Sequence, residues 1–81
     1  METGERMTKA DGINLKNGTP LLYVDSSFHH VGFVEYDNEI GNYIFHNKTP
    51  QAKFQLWTIS NWNYYSVITE SEFVLFMMEN A

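Results

Sequence analysis

FHHVGFVEYDNEIGNYIFH, residues 28–46, is the stretch that decides how this chain folds. Phe28 to Tyr36 is rich in Phe, Val and Tyr, which suit a pleated, half-buried surface, and it forms the longest strand candidate in the sequence. Asn42 to His46 restores that character through Tyr43, Ile44 and Phe45. The segment between, Asp37-Asn38-Glu39-Ile40-Gly41, is turn chemistry: Asp and Asn bond their own backbone, and Gly41 can take the left-handed conformation of a short loop. An antiparallel hairpin follows, with Gly32 as a bulge or bend in its first strand.

Working toward the N-terminus, Ser26-Ser27 breaks the pattern and Pro20 to Asp25 reads as another strand, whose leading proline suits a sheet edge. Ile13 and Leu15 alternate with polar Asn14 and Lys16, and Asn17-Gly18 offers the turn of a tight hairpin into that strand. Residues 1–12 carry no apolar period and are expected to be a disordered tail, leaving 13–81 as a single globular domain.

Toward the C-terminus, Asn47 to Lys53 is a connecting loop, Phe54 to Ile59 a strand, Ser60 to Asn63 a turn and Tyr64 to Ile68 a further strand. Thr69-Glu70-Ser71-Glu72 has the spacing of a capping box, so a helix should begin there. Phe73, Phe76 and Met77 share one face of that helix, which would lay a Phe/Met stripe on the sheet; a last strand over 73–77 is the competing reading. The fold class is therefore α+β, mainly β: a small antiparallel meander, or a half-open SH3-like or OB-like barrel, of about five strands with a short C-terminal helix.

The chain of 81 residues has a net charge of −5 and no cysteine, so disulfides and cysteine-based metal clusters are out and its 13 aromatic residues (six Phe, five Tyr, two Trp) must supply most of the core. A cysteine-free chain whose first residues are polar and charged is expected to be cytoplasmic, and its longest apolar run, Phe73 to Met78, falls far short of the roughly 20 residues that span a bilayer. The basic residues are Arg6, Lys9, Lys16, Lys48 and Lys53, which leaves 20–47 and 54–81 without Lys or Arg. Those two stretches hold all the aromatics and seven of the ten carboxylates. Such a body should repel nucleic acid and anionic lipid, and fits instead a larger protein with a basic surface.

No set of residues forms a strong catalytic or metal motif. His29 and His30 are neighbours on a strand and point to opposite faces, and His46 could meet one of them across the hairpin, giving two ligands at most. Asp25, Ser26, Ser27 and His29 include the residue types of a hydrolytic triad, but triads converge from separate elements, and consecutive Asp and Ser are better read as a turn. Neither enzymatic activity nor a cofactor is expected. The favoured partner-binding residues are the acids and rings of the hairpin, Glu35, Tyr36, Asp37, Glu39 and Tyr43, backed by Asp25. Trp62, placed in a turn between Asn61 and Asn63, is either an exposed hot spot beside them or a plug folded over the barrel end.

In size, acidity, richness in Asn, Tyr, Phe and Ile, and lack of cysteine, the chain resembles small virus-encoded host-takeover and anti-defence proteins. That compositional resemblance implies an inhibitor of a host nucleic-acid-handling or defence protein. The alternative is a domain that sequesters a nucleotide or sugar between Trp57, Trp62 and Tyr64, with Lys48 and Lys53 supplying polar contacts, in a homo-oligomer. In a third scheme the Phe/Met stripe of the helix is the interface of an assembly.

Overall fold

The computed structural model describes residues 15–26, 28–50 and 55–80. The expected tail, the Ile13 end of the first hairpin, and Lys53 and Phe54 lie outside them. Five strands, β1 (Pro20–Val24), β2 (His29–Asp37), β3 (Asn42–Asn47), β4 (Leu56–Thr58) and β5 (Tyr65–Val67), form one antiparallel sheet in the order β4-β3-β2-β1-β5. Trp62–Tyr64 is a single 3₁₀ turn, and helix α1 (Glu70–Glu79) ends the described chain. Four strands thus make a meander and the fifth returns across the 3₁₀ turn to β1, giving a half-open barrel of the expected mainly β, α+β class.

The decisive hairpin forms as read. β2 and β3 pair from Gly32↔Asn47 to Asp37↔Asn42, and Gly41 closes the loop at φ +68°, with its N–H donating to the Asp37 carbonyl at 2.9 Å. The Asp37 carboxylate accepts from the backbone N–H groups of Glu39 and Ile40 at 2.8 and 3.2 Å, which fixes the turn. Gly32, by contrast, is not a bulge: it pairs one-to-one with Leu21 on one side and Asn47 on the other. A Cβ there would run into the backbone carbonyl of His46, so glycine serves a close approach of two strands.

Two further expectations are corrected. β1 is no edge, because β5 pairs on its outer side from Leu21↔Val67 to Tyr23↔Tyr65. Pro20 is tolerated at the strand's first position because it contributes only its carbonyl there, accepting from Ile68 N–H at 3.2 Å. The Asn17-Gly18 turn forms, with Gly18 at φ +89°, but it docks on β2: Gly18 N–H donates to Val34 O at 2.7 Å, and Asn17 Oδ1 accepts from Tyr36 N–H at 2.9 Å.

Side-chain alternation splits the apolar residues between two packing regions. Leu21, Val34, Tyr43, Phe45, Ile59, Trp62 and Tyr65 fill the concave side of the sheet, with Leu15, Tyr23 and Trp57 against them. Leu22, Val31 and Ile68 point the other way and are covered by α1 through Phe76, with Val24, Phe73 and Met77 alongside. The helix reading prevails over the strand because the cap is complete: Thr69 Oγ1 accepts from Glu72 N–H at 3.1 Å, and Glu72 Oε1 accepts from Thr69 N–H at 2.9 Å.

Candidate protein-binding surfaces

The barrel presents two unlike ends, separated by the nine residues of β2 or about 26 Å of extended chain. At one end stands the β2–β3 hairpin tip. Tyr36 is 40% exposed there, and its ring meets that of Tyr43 edge-on at 5.0 Å; Tyr43 in turn meets Trp62 edge-on at 5.5 Å. Tyr43 and Trp62 are themselves core residues, 8% and 6% exposed, so they cannot serve as contact surface.

The structure accordingly adopts the plug for Trp62 and corrects its reading as an exposed hot spot. The physical reason is local. Asn61 caps the 3₁₀ turn by accepting from Asn63 N–H at 3.0 Å, and the tight turn aims the indole inward onto Tyr43 and Tyr65. Polar neighbours on both sides gave the opposite impression in the sequence. What the buried pair does provide is a backing that holds Tyr36 in place.

Around Tyr36 the carboxylates have different duties. Asp37 is spent on the turn. Glu39 is exposed at the tip with Ile40 beside it, and Glu35 points from the outer side of β2, its Oε1 4.0 Å from His46 Nε2, close enough to pair when the imidazole is protonated. His46 meets neither His29 nor His30. It stacks on Phe33 at 5.5 Å, and Lys48 Nζ lies 5.1 Å above the same Phe33 ring.

The opposite end was not singled out in the sequence as a unit. Asp25 and Phe28 exchange backbone hydrogen bonds at 2.9 and 3.3 Å across the β1–β2 turn. Phe28 is 60% exposed and stacks on His30 with centroids 6.0 Å apart; His30 stacks on Tyr23 at 6.1 Å; and Tyr23 touches Trp57 and Tyr64 at 5.4 and 6.0 Å. Tyr64, from the 3₁₀ turn, is 44% exposed. The phenol of Tyr23 donates to Asp25 Oδ2 at 3.3 Å, and burial together with the Asp25 charge raises its pKa, so it stays a donor. Burial lowers the pKa of His30, with His29 adding to the effect, which keeps that imidazole uncharged at neutral pH. Deeper in, Trp57 Nε1–H donates to Tyr65 Oη at 2.6 Å, linking the unpaired margins of β4 and β5, and burial pushes the Tyr65 phenol up to about 12.

The residues expected to sequester a small ligand are only partly brought together. Trp57 and Tyr64 both reach Tyr23, but Trp62 belongs to the core, Lys48 lies over Phe33 on the other face, and Lys53 is outside the described residues. An open groove of about 300 Å³ is lined by Gly18, Pro20, Phe33, Glu70 and Phe73, away from those rings. The Phe/Met stripe proposed as an assembly interface is used internally through Phe73, Phe76 and Met77, while Val74, Leu75 and Met78 remain exposed. Among the described residues no group of three His, Asp or Glu side chains could hold a metal ion, and no helix is long and apolar enough to cross a membrane. No family model, curated protein or solved structure matches the chain.

Proposed function

We propose that this protein is a non-catalytic binding module whose acidic β2–β3 hairpin docks on a basic, nucleic-acid-facing site of a larger protein and blocks it. The observation that carries the reading is the build of the hairpin tip. Tyr36 is exposed yet backed by the buried Tyr43 and Trp62; Glu39 stands on the adjoining turn, which Asp37 holds in one shape, and Glu35 projects from the opposite face of β2. A ring that is already immobilised loses little freedom on binding, and carboxylates at its rim steer it toward Lys and Arg. Occupying such a site in place of a phosphate backbone makes the protein an inhibitor, as the compositional resemblance to virus-encoded anti-defence proteins implies.

The test uses the immobilised protein as bait in a lysate of the source cell, with elution by a short DNA duplex. Capture of a nucleic-acid-binding protein, displaced by the duplex and abolished in Tyr36→Ala/Glu39→Gln with an unchanged Tm, is the expected result. Capture that survives the double substitution, or direct salt-sensitive binding of the duplex by the bait, overturns the reading.

A further inference from the structure

The β1–β2 end lies apart from the hairpin tip, at the other end of β2. The geometry points to a site for an arginine side chain of a partner peptide, with the guanidinium laid on the Phe28–His30–Tyr23 stack and hydrogen-bonded to Asp25. This inference goes beyond the hairpin reading and stands whether or not that reading holds.

Four observations converge on it. First, the rings are not sealed: Phe28 and Tyr64 are among the exposed large side chains, and Tyr23, His30 and Trp57 behind them are only partly covered. Two exposed rings joined through partly covered ones form a patch of the kind that interaction sites present. Second, the stack is planar. Phe28 and His30 lie 10° from parallel, and His30 and Tyr23 22°, so the outer face of Phe28 continues a ready platform for a flat group. Guanidinium is flat and weakly hydrated, and stacks where an ammonium cannot.

Third, the acid is in place and has capacity left. Asp25 faces Phe28 directly across the turn; its two oxygens accept from Ser26 N–H at 2.6 Å and Tyr23 Oη at 3.3 Å. A carboxylate offers about four lone-pair positions, so two remain for the fork of a guanidinium. Fourth, among the described residues the charged group beside the stack is Asp25. Among the described residues the cations are Lys16, in the turn that docks on the far half of β2, and Lys48, over Phe33 on the outer face; neither is beside the stack. Asp25 favours a cationic group on the rings over the phosphate of a nucleotide or an anionic lipid headgroup.

The experiment is a titration of the 81-residue, ¹³C,¹⁵N-labelled protein with a capped Gly-Arg-Gly-Arg-Gly peptide, followed at the Trp57 indole N–H and at the Phe28 and Tyr64 rings. The same peptide with citrulline or lysine in place of arginine is run alongside. Saturable shifts at these groups are expected, weakened at least tenfold by citrulline and several-fold by lysine. Asp25→Asn and Phe28→Ala should each weaken binding about tenfold, which corresponds to about 1.4 kcal/mol. In Glu39→Gln at the hairpin, the saturation curve read at Trp57, Phe28 and Tyr64 should be the same, which separates this site from the other. Equal binding of the citrulline peptide removes the charge argument, equal binding of the lysine peptide removes the guanidinium argument, and absence of shifts at millimolar peptide overturns the site. Because Phe28 is on the surface, its loss of side chain should leave the spectrum of the core intact; shifts throughout the Phe28→Ala spectrum would instead assign it a structural role and count against the proposal.

Discussion

The two packing regions on either side of the sheet differ in kind. The concave side is built of rings, Tyr43, Phe45, Trp62 and Tyr65, and these rings continue without interruption to the surface at both ends, through Tyr36 at the hairpin and through Tyr23 and His30 to Phe28 at the other. The side under α1 is built of Leu22, Val31, Ile68 and Phe76 and leads to neither proposed site. Stability and the proposed binding are thus joined in the first region and separable in the second. A large ring can be core at one edge and contact surface at the other, whereas an aliphatic side chain is used up where it packs.

The sharpest way to break that contrast is to hollow each region in turn. Phe45 is fully buried among Tyr23, Trp57 and Tyr65, and Phe45→Ala should cost about 3–5 kcal/mol, enough to leave so small a domain largely unfolded in mild urea. Phe76 is the buried residue of α1, packed from the helix onto Leu22, Val31 and Ile68 in the smaller cluster, so Phe76→Ala should cost about 3 kcal/mol or less. Equal losses in urea melts would mean that the two regions are one cooperative core and that the contrast is only geometric.

Gly32→Ala comes next. Its methyl group meets the His46 carbonyl and the tip of Phe45, so the strain falls on the ring side, and about 1–3 kcal/mol of overpacking is expected by denaturation. A neutral outcome would show that β2 and β3 can spread there, and that the glycine is not required by close approach.

Tyr65→Phe is smaller. It deprives the Trp57 indole N–H of its acceptor and should cost about 1 kcal/mol. The same phenol predicts an alkaline limit. Its folded pKa of about 12 lies above the ordinary value of 10.0, so its contribution is fully present below pH 10 and is lost as pH rises through that interval. Phenolate absorbance should show one tyrosine titrating last, and that late titration should vanish in Tyr65→Phe.

Thr69→Ala should be as mild, about 1 kcal/mol, and should act on the helix side alone. Hydrogen exchange is the readout: faster exchange in α1 with unchanged protection in β3 keeps the two regions apart, and uniform loosening joins them.

How much of this was legible in advance follows from the range of each signal. The Thr69–Glu72 capping box, the Asp37–Gly41 turn and the 73/76/77 helix face are local patterns, complete within a few residues, and each is found where it was read. The failures are non-local. Pro20 looked like an edge because nothing near it in sequence announces that β5 will pair on its far side. Gly32 looked like a bulge because a close approach depends on the partner strand's carbonyl. Trp62 was ambiguous between two asparagines until the 3₁₀ turn set its direction. Of the residues expected to bind a partner, Tyr36, Asp37 and Glu39 lie together at the hairpin tip, Glu35 is on the outer side of β2, and Tyr43 and Trp62 are buried beneath Tyr36. The Phe28 platform gathers residues from β1, β2, β4 and the 3₁₀ turn, so no window of sequence could have displayed it.

The return of β5 to β1 sets the order in which the molecule can assemble. β2 and β3 can zip from their own loop within microseconds, but Leu21 must wait for Val67, near the far end of the described chain, before it gains its second neighbour. During synthesis the hairpin therefore exists before the barrel does, with Leu21 and Phe45 still wet, and a chain arrested ahead of Tyr65 offers an unsatisfied strand to any sticky neighbour.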